Sequence, residues 1–457
     1  MGNIYISEEE KQRALHLLES RMDPGLLSAL NSCVHCGLCS ESCHYYLSEK
    51  NEKYTPAAKV DIIASIYRRY FTFSGRYFPW LTGARDLDSK TTEELVDLAF
   101  GSCSMCGRCT LHCSVGVDIA SLVRTSRSML SEIGLVPEGL QSTADTALRT
   151  GNNMGIPEDE FIDTLEWLED DLKMEVDDDH ATIPLNMEGA RIAYTLNPRE
   201  PKFFPLSISA MAKIFYAAKE SWTLSTRVYD VTNYSYFSGD NQGALELSNR
   251  HNNELKKLGA EILALGECGH GYRAFRWEGP GWMRSDYVAD AYSVLQIIAE
   301  YIRTGRIILD RTKVKKRVTL HDPCNLVRNG GIIEEQRYIL KNAVSDFVEM
   351  TPNRADNYCC GGGGGQLAMG EYAERRIKAG SIKAGQIKAT GAQIVATPCH
   401  NCIDQLMELN HRYSLNVEIK TVGEIVADAL VIEPQGKQMI ITNNVDSENN
   451  GLFLREY

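Results

Sequence analysis

Thirteen of the fourteen cysteines in this 457-residue chain fall into three sets whose spacing implies metal chemistry. Cys33, Cys36, Cys39 and Cys43 (CVHCGLCSESC) and again Cys103, Cys106, Cys109 and Cys113 (CSMCGRCTLHC) repeat the pattern C-x2-C-x2-C-x3-C. Paired runs of this spacing hold two 4Fe-4S cubanes, the fourth cysteine of each run ligating the other cluster. The pattern therefore assigns Cys33, Cys36, Cys39 and Cys113 to one cubane, and Cys103, Cys106, Cys109 and Cys43 to the second. Gly37 and Gly107 occupy the same place in each run, where a side chain would crowd a cluster. The proline that usually follows the fourth cysteine is replaced by His44 and Ser114. Four thiolates per site would also suit structural zinc, but the tight three-cysteine run favours iron and sulfur.

The third set is Cys324 in HDPC, the adjacent Cys359 and Cys360 in CCGGGGG, and Cys399 and Cys402 in CHNC. Five thiolates are more than a single four-ligand site requires. Glycine permits positive φ and removes the Cβ, so Gly361, Gly362 and their neighbours let the backbone press against something bulky and aim N–H groups at an anionic centre. The run is not a phosphate-binding loop, because the closing Lys-Ser/Thr is absent. His321 and Asp322, just before Cys324, are candidates for moving protons at this site, as are His400 between two candidate ligands and His270 further upstream. A purely structural role beside the ligands is the alternative for each of them.

The elements that must position these residues fall into two parts. Residues 1–135 contain both four-cysteine runs, separated by an insert (44–102) with helical stretches such as AAKVDIIASIYRRY and TTEELVDLAF. Motifs separated by helices point to a helical two-cluster ferredoxin domain. Residues 136–190 include EDEFIDTLEWLEDDLKMEVDDDH, whose acidic density predicts a solvated helix and connector. Residues 191–457 carry a weak internal repeat. ARIAYTLNPR (190–199) matches RVTLHDPC (317–324), SYFSGDNQG (235–243) matches NYCCGGGGG (357–365), and LKKLGAEILALGECGHG (255–271) matches IKATGAQIVATPCHNC (387–402). Each copy reads as strand, proline loop, helix, strand, glycine loop, long helix and strand. The predicted fold is α + α/β, with a degenerate first α/β unit (191–300) and a cluster-binding second (317–430) related by a pseudo-twofold axis. Arg199, Phe237, Ser238, Cys268 and Gly271 stand where the second unit has its five cysteines, so one cluster is expected, with Cys268 facing it across the crevice. A small buried hydrophobe is the alternative role for Cys268.

Composition narrows the function. A net charge of −13 argues against nucleic acid as a partner. No stretch approaches the ~18 apolar residues of a membrane span. The charged, helix-patterned start lacks the features of a secretory signal, so the thiols are expected in a reducing compartment, holding metal rather than disulfides. The basic run RTKVKKR (311–317) reads as a solvated strand entrance or as a docking site for an acidic partner.

The order of two cubane motifs followed by C-x34-CCG-x37-CxxC resembles the HdrD-like heterodisulfide reductase family, whose cysteine-rich units are called CCG domains. HDPCNLVRNGG and CCGGGGGQ are especially similar to the DsrK type and to the F component of the high-molecular-weight cytochrome complex. The resemblance spans nearly the whole chain and fails only in the first CCG unit. It implies that Cys324, Cys359, Cys360, Cys399 and Cys402 hold a noncubane 4Fe-4S cluster that splits disulfides in two one-electron steps, fed by two 4Fe-4S cubanes. It further implies a cytoplasmic component attached to the inner face of the cell membrane through a cytochrome b-type, quinol-oxidising subunit and other complex members. The expected substrate is a disulfide or trisulfide on a DsrC-type sulfur-carrier protein in dissimilatory sulfur metabolism. Two other readings stay open: the iron-sulfur subunit of a flavin-dependent glycolate, lactate or glycerol-3-phosphate dehydrogenase, and a pure electron relay.

Overall fold

The computed structural model describes residues 4–284, 287 and 290–432; the end of the expected 191–457 domain, residues 433–457, lies outside the described residues. Among the described residues no strand precedes Ile192, and the first part of the chain is built from helices. Their boundaries follow local chemistry. Ser7 and Glu10 form a capping box on Glu8–Ser20, and Thr55 caps α1 (Pro56–Phe71) through Ala58 N while Pro56 fills the first helical position. α1 buries Val60, Ile62, Ile63 and Ile66 and packs on α2 (Ile119–Glu132), which together carry the core around the first eight cysteines.

The acidic segment differs from its expectation in one respect. Its helix, Glu158–Val176, is solvated on one face only, because Phe161, Leu165, Leu168, Leu172 and Val176 recur at helical spacing and are buried. That stripe packs on α3 (Pro205–Ala217), and Phe161 stacks on Tyr229 at 4.0 Å. The segment is thus part of the α/β core.

Two four-stranded parallel sheets follow. The first contains β1 (Ile192–Thr195), β2 (Trp222–Leu224), β3 (Ile262–Leu265) and β4 (Asp290–Ser293) in the order β2-β1-β3-β4. The second contains β5 (Val318–Leu320), β6 (Phe347–Val348), β7 (Ile394–Ala396) and β8 (Glu418–Lys420) in the order β6-β5-β7-β8. The topology is the same in both, as the internal repeat requires, with a fourth strand in each that the repeat did not reveal. The closing helices are α4 (Val294–Arg303) after β4 and α7 (Val422–Ala429) after β8; α5 (Glu335–Ala343) follows β5, and α6 (His400–Tyr413) follows β7. α3 packs on α7, and α4 packs on α5. The first helix of each unit therefore meets the last helix of the other, the reciprocal pairing expected of two related units about an approximate twofold axis. This arrangement brings the loops after β1 and β3 against those after β5 and β7: His400 N donates to Glu267 O at 3.1 Å across the junction. Ligand sites of parallel sheets form at such carboxyl-end crevices.

Candidate iron-sulfur centres

Two cavities in the helical part are each lined by four thiols. Cys33, Cys36, Cys39 and Cys113 surround one; Cys43, Cys103, Cys106 and Cys109 surround the other; the space among the lining residues, open solvent included, is about 370 Å³ in each. Ile119, at the start of α2, lines both. The two loops are conformational copies. His35 and Met105, two residues after the first cysteine of each run, both have φ of 53°, and Gly37 and Gly107 have φ of 83° and 74°. Positive φ is the visible requirement for glycine at both places. A Cβ at Gly37 would meet no protein atom within 4 Å, whereas one at Gly107 would lie 2.8 Å from Asn329 Oδ1 of the second α/β unit. Backbone N–H groups of Met105 and Val117 point at Cys103 Sγ (3.4 Å) and Cys113 Sγ (3.3 Å). The first cavity lies at the surface, where Cys36 is exposed beside Val34 and Leu38; in the second Cys43 is buried and Cys103, Cys106 and Cys109 are half-buried.

Nothing in the sequence pointed to Lys59, which α1 carries into the second cavity. It is 4% exposed, donates to Ser102 O at 2.6 Å, and stands 4.0 Å from Cys43 Sγ. Burial lowers its affinity for a proton, but the neighbouring thiolates of Cys43 and Cys103 outweigh that and hold the ammonium above its ordinary pKa.

The third cavity, about 290 Å³, is lined by Cys324, Cys359, Cys360, Cys399 and Cys402 together with His270, His321, Asn325, Gly363 and Asn401. Cys324 comes from the loop after β5, Cys359 and Cys360 from the glycine loop after β6, and Cys399 and Cys402 from the N-terminus of α6. All five are buried, with Cys324 Sγ and Cys359 Sγ 3.9 Å apart. Hydrogen bonds from Cys106 and Cys324 bring Cys359 down to about 5, and those from Cys359 and Cys402 hold Cys360 well below the usual thiol range. Their partners Cys324 and Cys402 are pushed up in turn, and five soft sulfur donors packed in one buried cavity fit an iron-sulfur group.

The second and third cavities are neighbours. Cys106 lies within hydrogen-bonding reach of Cys359, and Ser104 Oγ donates to Cys359 Sγ at 3.5 Å. The glycine run makes this contact possible: a Cβ on Gly364 would sit 2.6 Å from Ser104 O, and one on Gly363 3.3 Å from it and 3.7 Å from Cys324 Sγ. Gly361 and Gly362 do not line the cavity; their absent Cβ atoms would meet Arg376 O at 3.0 Å and Gln405 Cβ at 2.8 Å. Their role is close packing behind the cysteines. Gly363 is the one that faces the site.

The proton-donor candidates separate. His321 lines the cavity, has no hydrogen-bond partner at either ring nitrogen, and groups with Cys360 and Cys402 within 4.8 Å; burial lowers its pKa to about 3. His270 also lines it, accepting from Gly364 N at 3.2 Å, with Asn401 Nδ2 2.6 Å from its other nitrogen. His400 is not among the lining residues: its ring lies 3.2 Å from Ser207 Oγ and 3.4 Å from Glu200, on the far side of α6. Asp322 forms a two-point ion pair with Arg337 (2.9 and 2.8 Å) and accepts from Arg354 N, a structural role. Cys268 is fully buried behind Gly269 and His270, which take the lining positions, and its sulfur accepts from Gly271 N at 3.5 Å. At the position of Cys359 the first unit has Phe237, whose ring packs on His270 at 4.1 Å, and at that of Cys324 it has Arg199, ion-paired to Asp404. A buried ring thus stands where the second unit has a thiol.

A helical dicluster unit joined to a buried bed of thiols defines an iron-sulfur protein of electron transfer. Family profiles agree: a 4Fe-4S dicluster domain matches residues 29–117, and a cysteine-rich domain matches 318–407. The chain is 29% identical over 455 residues to the Hdr-like menaquinol oxidoreductase iron-sulfur subunit 2 of Archaeoglobus fulgidus, covering 90% of this chain and 81% of that protein. It is 27% identical over 417 residues to the HdrD component of the dihydromethanophenazine:CoB–CoM heterodisulfide reductase of Methanosarcina mazei, covering 89% and 95%. It is 22% identical over 423 residues to the EtfAB:quinone oxidoreductase of Syntrophomonas wolfei, covering 83% and 55%. Over about nine-tenths of its length the chain is thus similar to HdrD-like iron-sulfur subunits of oxidoreductases, and it carries 4Fe-4S clusters.

Proposed function

We propose that this chain is the iron-sulfur subunit of a membrane-associated, quinone-linked complex that reduces, or reversibly forms, a disulfide or trisulfide, on a sulfur-carrier protein of the DsrC type. Its two cubanes are read as the wire and the five-cysteine cavity as the reaction site. The observation that carries this reading is the direct contact of Cys106 and Ser104 with Cys359. Cys324, Cys359, Cys360, Cys399 and Cys402 would hold a noncubane 4Fe-4S cluster, which would supply the pair of one-electron transfers that a disulfide needs. The chain's own residues do the rest. Ser104 and Gly361 N hydrogen-bond Cys359 and fix its sulfur toward the second cubane bed. His321, with neither nitrogen engaged, is read as the group that passes a proton to a leaving thiolate, a role that requires the negative charge of the reduced site to raise its proton affinity from the about 3 that burial sets. Burial of every wall residue excludes water. We place the helical domain at 1–135 and the paired α/β units after it, counting 158–176 with the first unit, and attachment to the inner membrane face through a cytochrome b-type subunit.

Low-temperature EPR on anaerobically purified, oxidised protein tests this. A paramagnetic signal that appears only with a thiol or disulfide substrate, and is lost in Cys360→Ser while both cubanes remain reducible by dithionite, supports it. Full disulfide reduction by Cys360→Ser refutes it. Similarity to the EtfAB:quinone oxidoreductase favours a second reading, in which a flavoprotein delivers the electrons and the third site relays them. Co-purification of a flavin subunit, with no substrate-dependent signal, would select that alternative.

A further inference from the structure

The end of α1 carries a structure that neither the electron path nor the α/β core uses. The sequence RRYFTFSGRYFPWLTGAR (68–85) has four arginines, and no acidic residue occurs between Asp61 and Asp86, in a chain of net charge −13. Two short helices, Phe73–Tyr77 and Pro79–Thr82, fold back on the end of α1 and on each other. Gly75 makes the fold tight, since a Cβ there would lie 2.0 Å from Arg68 O. Arg69 Nη1 donates to Arg76 O and Arg76 Nη2 to Tyr70 O, both at 2.9 Å, and Gly83 ends the tip at φ 65°. The tip is therefore a built element. What it presents is apolar: Phe73 is 75% exposed, Tyr77 57%, Phe78 46%, Trp80 78% and Leu81 79%.

We infer that residues 68–85 form a membrane-surface anchor that seats these rings among the headgroups of an anionic lipid bilayer. Side chains so exposed stand proud of the surface as a convex tip. A fluid bilayer receives such a shape without a complementary pocket. Tryptophan and tyrosine partition to the bilayer interface, and arginine beside them attracts anionic headgroups. Arg69 and Arg85 are paired with Asp86 and Glu94, but among the described residues Arg68 and Arg76 have no carboxylate partner, leaving uncompensated positive charge at the tip of an acidic protein. No helix among the described residues is long and apolar enough to cross a membrane, so the contact is interfacial. α1 is sixteen residues long, about 24 Å. Its first turns line the first cubane cavity through Ala57 and Val60, so it acts as a strut between that centre and the lipid. The proposal does not depend on the chemistry of the third cavity.

Flotation of the full-length, cluster-loaded chain with vesicles tests it. Vesicles of phosphatidylcholine with one part in four phosphatidylglycerol should carry the protein upward, and pure phosphatidylcholine much less. Trp80→Ser combined with Leu81→Ser should lower the floated fraction about tenfold, with unchanged iron content, visible spectrum and thermal midpoint. Brominated lipids should quench tryptophan emission in the native chain, and this quenching should be lost in Trp80→Phe, which still binds. Absence of flotation with anionic vesicles, or flotation unaffected by the double substitution, overturns the proposal. So does a double variant that releases only a co-expressed membrane subunit, which would make the tip a protein interface.

Discussion

Replacing Lys59 by methionine keeps the length and apolar stem of the side chain and removes one buried positive charge beside the second cubane bed. The ammonium lies 4.0 Å from Cys43 Sγ, but an electron added to a cluster spreads over the whole group. Taking about 7 Å to its centre and an effective dielectric of about 20, the lost attraction is about 2.4 kcal/mol. For a one-electron couple that corresponds to about 100 mV. The sign is fixed: reduction adds negative charge, which the ammonium stabilises, so the midpoint potential of that cubane falls in Lys59→Met. Lys59→Arg, which keeps the charge, should stay within about 30 mV of the native value. An EPR-monitored redox titration reads each cubane separately, and the first, further away, should move by less than about 30 mV. Ser102 O also loses its donor, so a fall in stability of about 1–3 kcal/mol accompanies the shift. A fully loaded Lys59→Met protein whose second cubane titrates within about 20 mV of the native value would refute both the electrostatic argument and the placement of a cluster among Cys43, Cys103, Cys106 and Cys109.

Gly364→Ala forces an L-residue to hold φ of 64° with its Cβ 2.6 Å from Ser104 O. The backbone term alone is about 1–2 kcal/mol; calorimetry should show a lower thermal midpoint, and slower electron transfer into the third site should appear in rapid-freeze EPR. Glu220 accepts from Arg191, Tyr301 and Arg306, and its side chain is 2% exposed; against the upward push of burial, these partners bring it down to about 2. A depressed carboxylate contributes stability above its unfolded pKa and loses it as pH falls through the folded one. Glu220→Gln should thus cost about 2 kcal/mol after allowing for screening, in a gap that urea unfolding finds constant from pH 8 to 5 and closing below about pH 4.3.

Much of this site was legible because cysteine spacing is itself a geometric record. The exchange of Cys43 and Cys113 between runs follows from the motif, and the lining of both cavities has that membership. The repeat was legible through its loops more than its strands. β8, Glu418–Lys420, is three residues of mixed polarity and offers no alternation to detect. Orientation at helix starts was not legible either. In the run Cys399-His400-Asn401-Cys402, successive side chains turn about 100° around α6, so Asn401 faces the cavity while His400 faces Glu200. The same rotation hides Cys268 behind His270. Lys59 left no trace because its importance is a tertiary fact: an apolar-flanked lysine on a helix reads as a snorkelling surface residue until the cavity is seen.

Arg127 lies on α2 and is completely buried. Its guanidinium donates to Ala99 O (2.9 Å), Cys103 O (2.8 Å), Phe237 O (2.6 Å) and Gly364 O (2.6 Å). Those four carbonyls belong to the insert, the second cysteine run, the cluster-less α/β unit and the glycine run. A planar fork of five donors fixes all of them in one plane. The consequence is a loss of modularity. A ferredoxin half expressed alone would bare a buried charge with half its acceptors gone, and an α/β half alone would leave Phe237 O and Gly364 O without their shared donor. Grafting another electron-carrying head onto this cysteine-rich body would have to rebuild that junction first, which gives the first unit, without a cluster of its own, a reason to be kept.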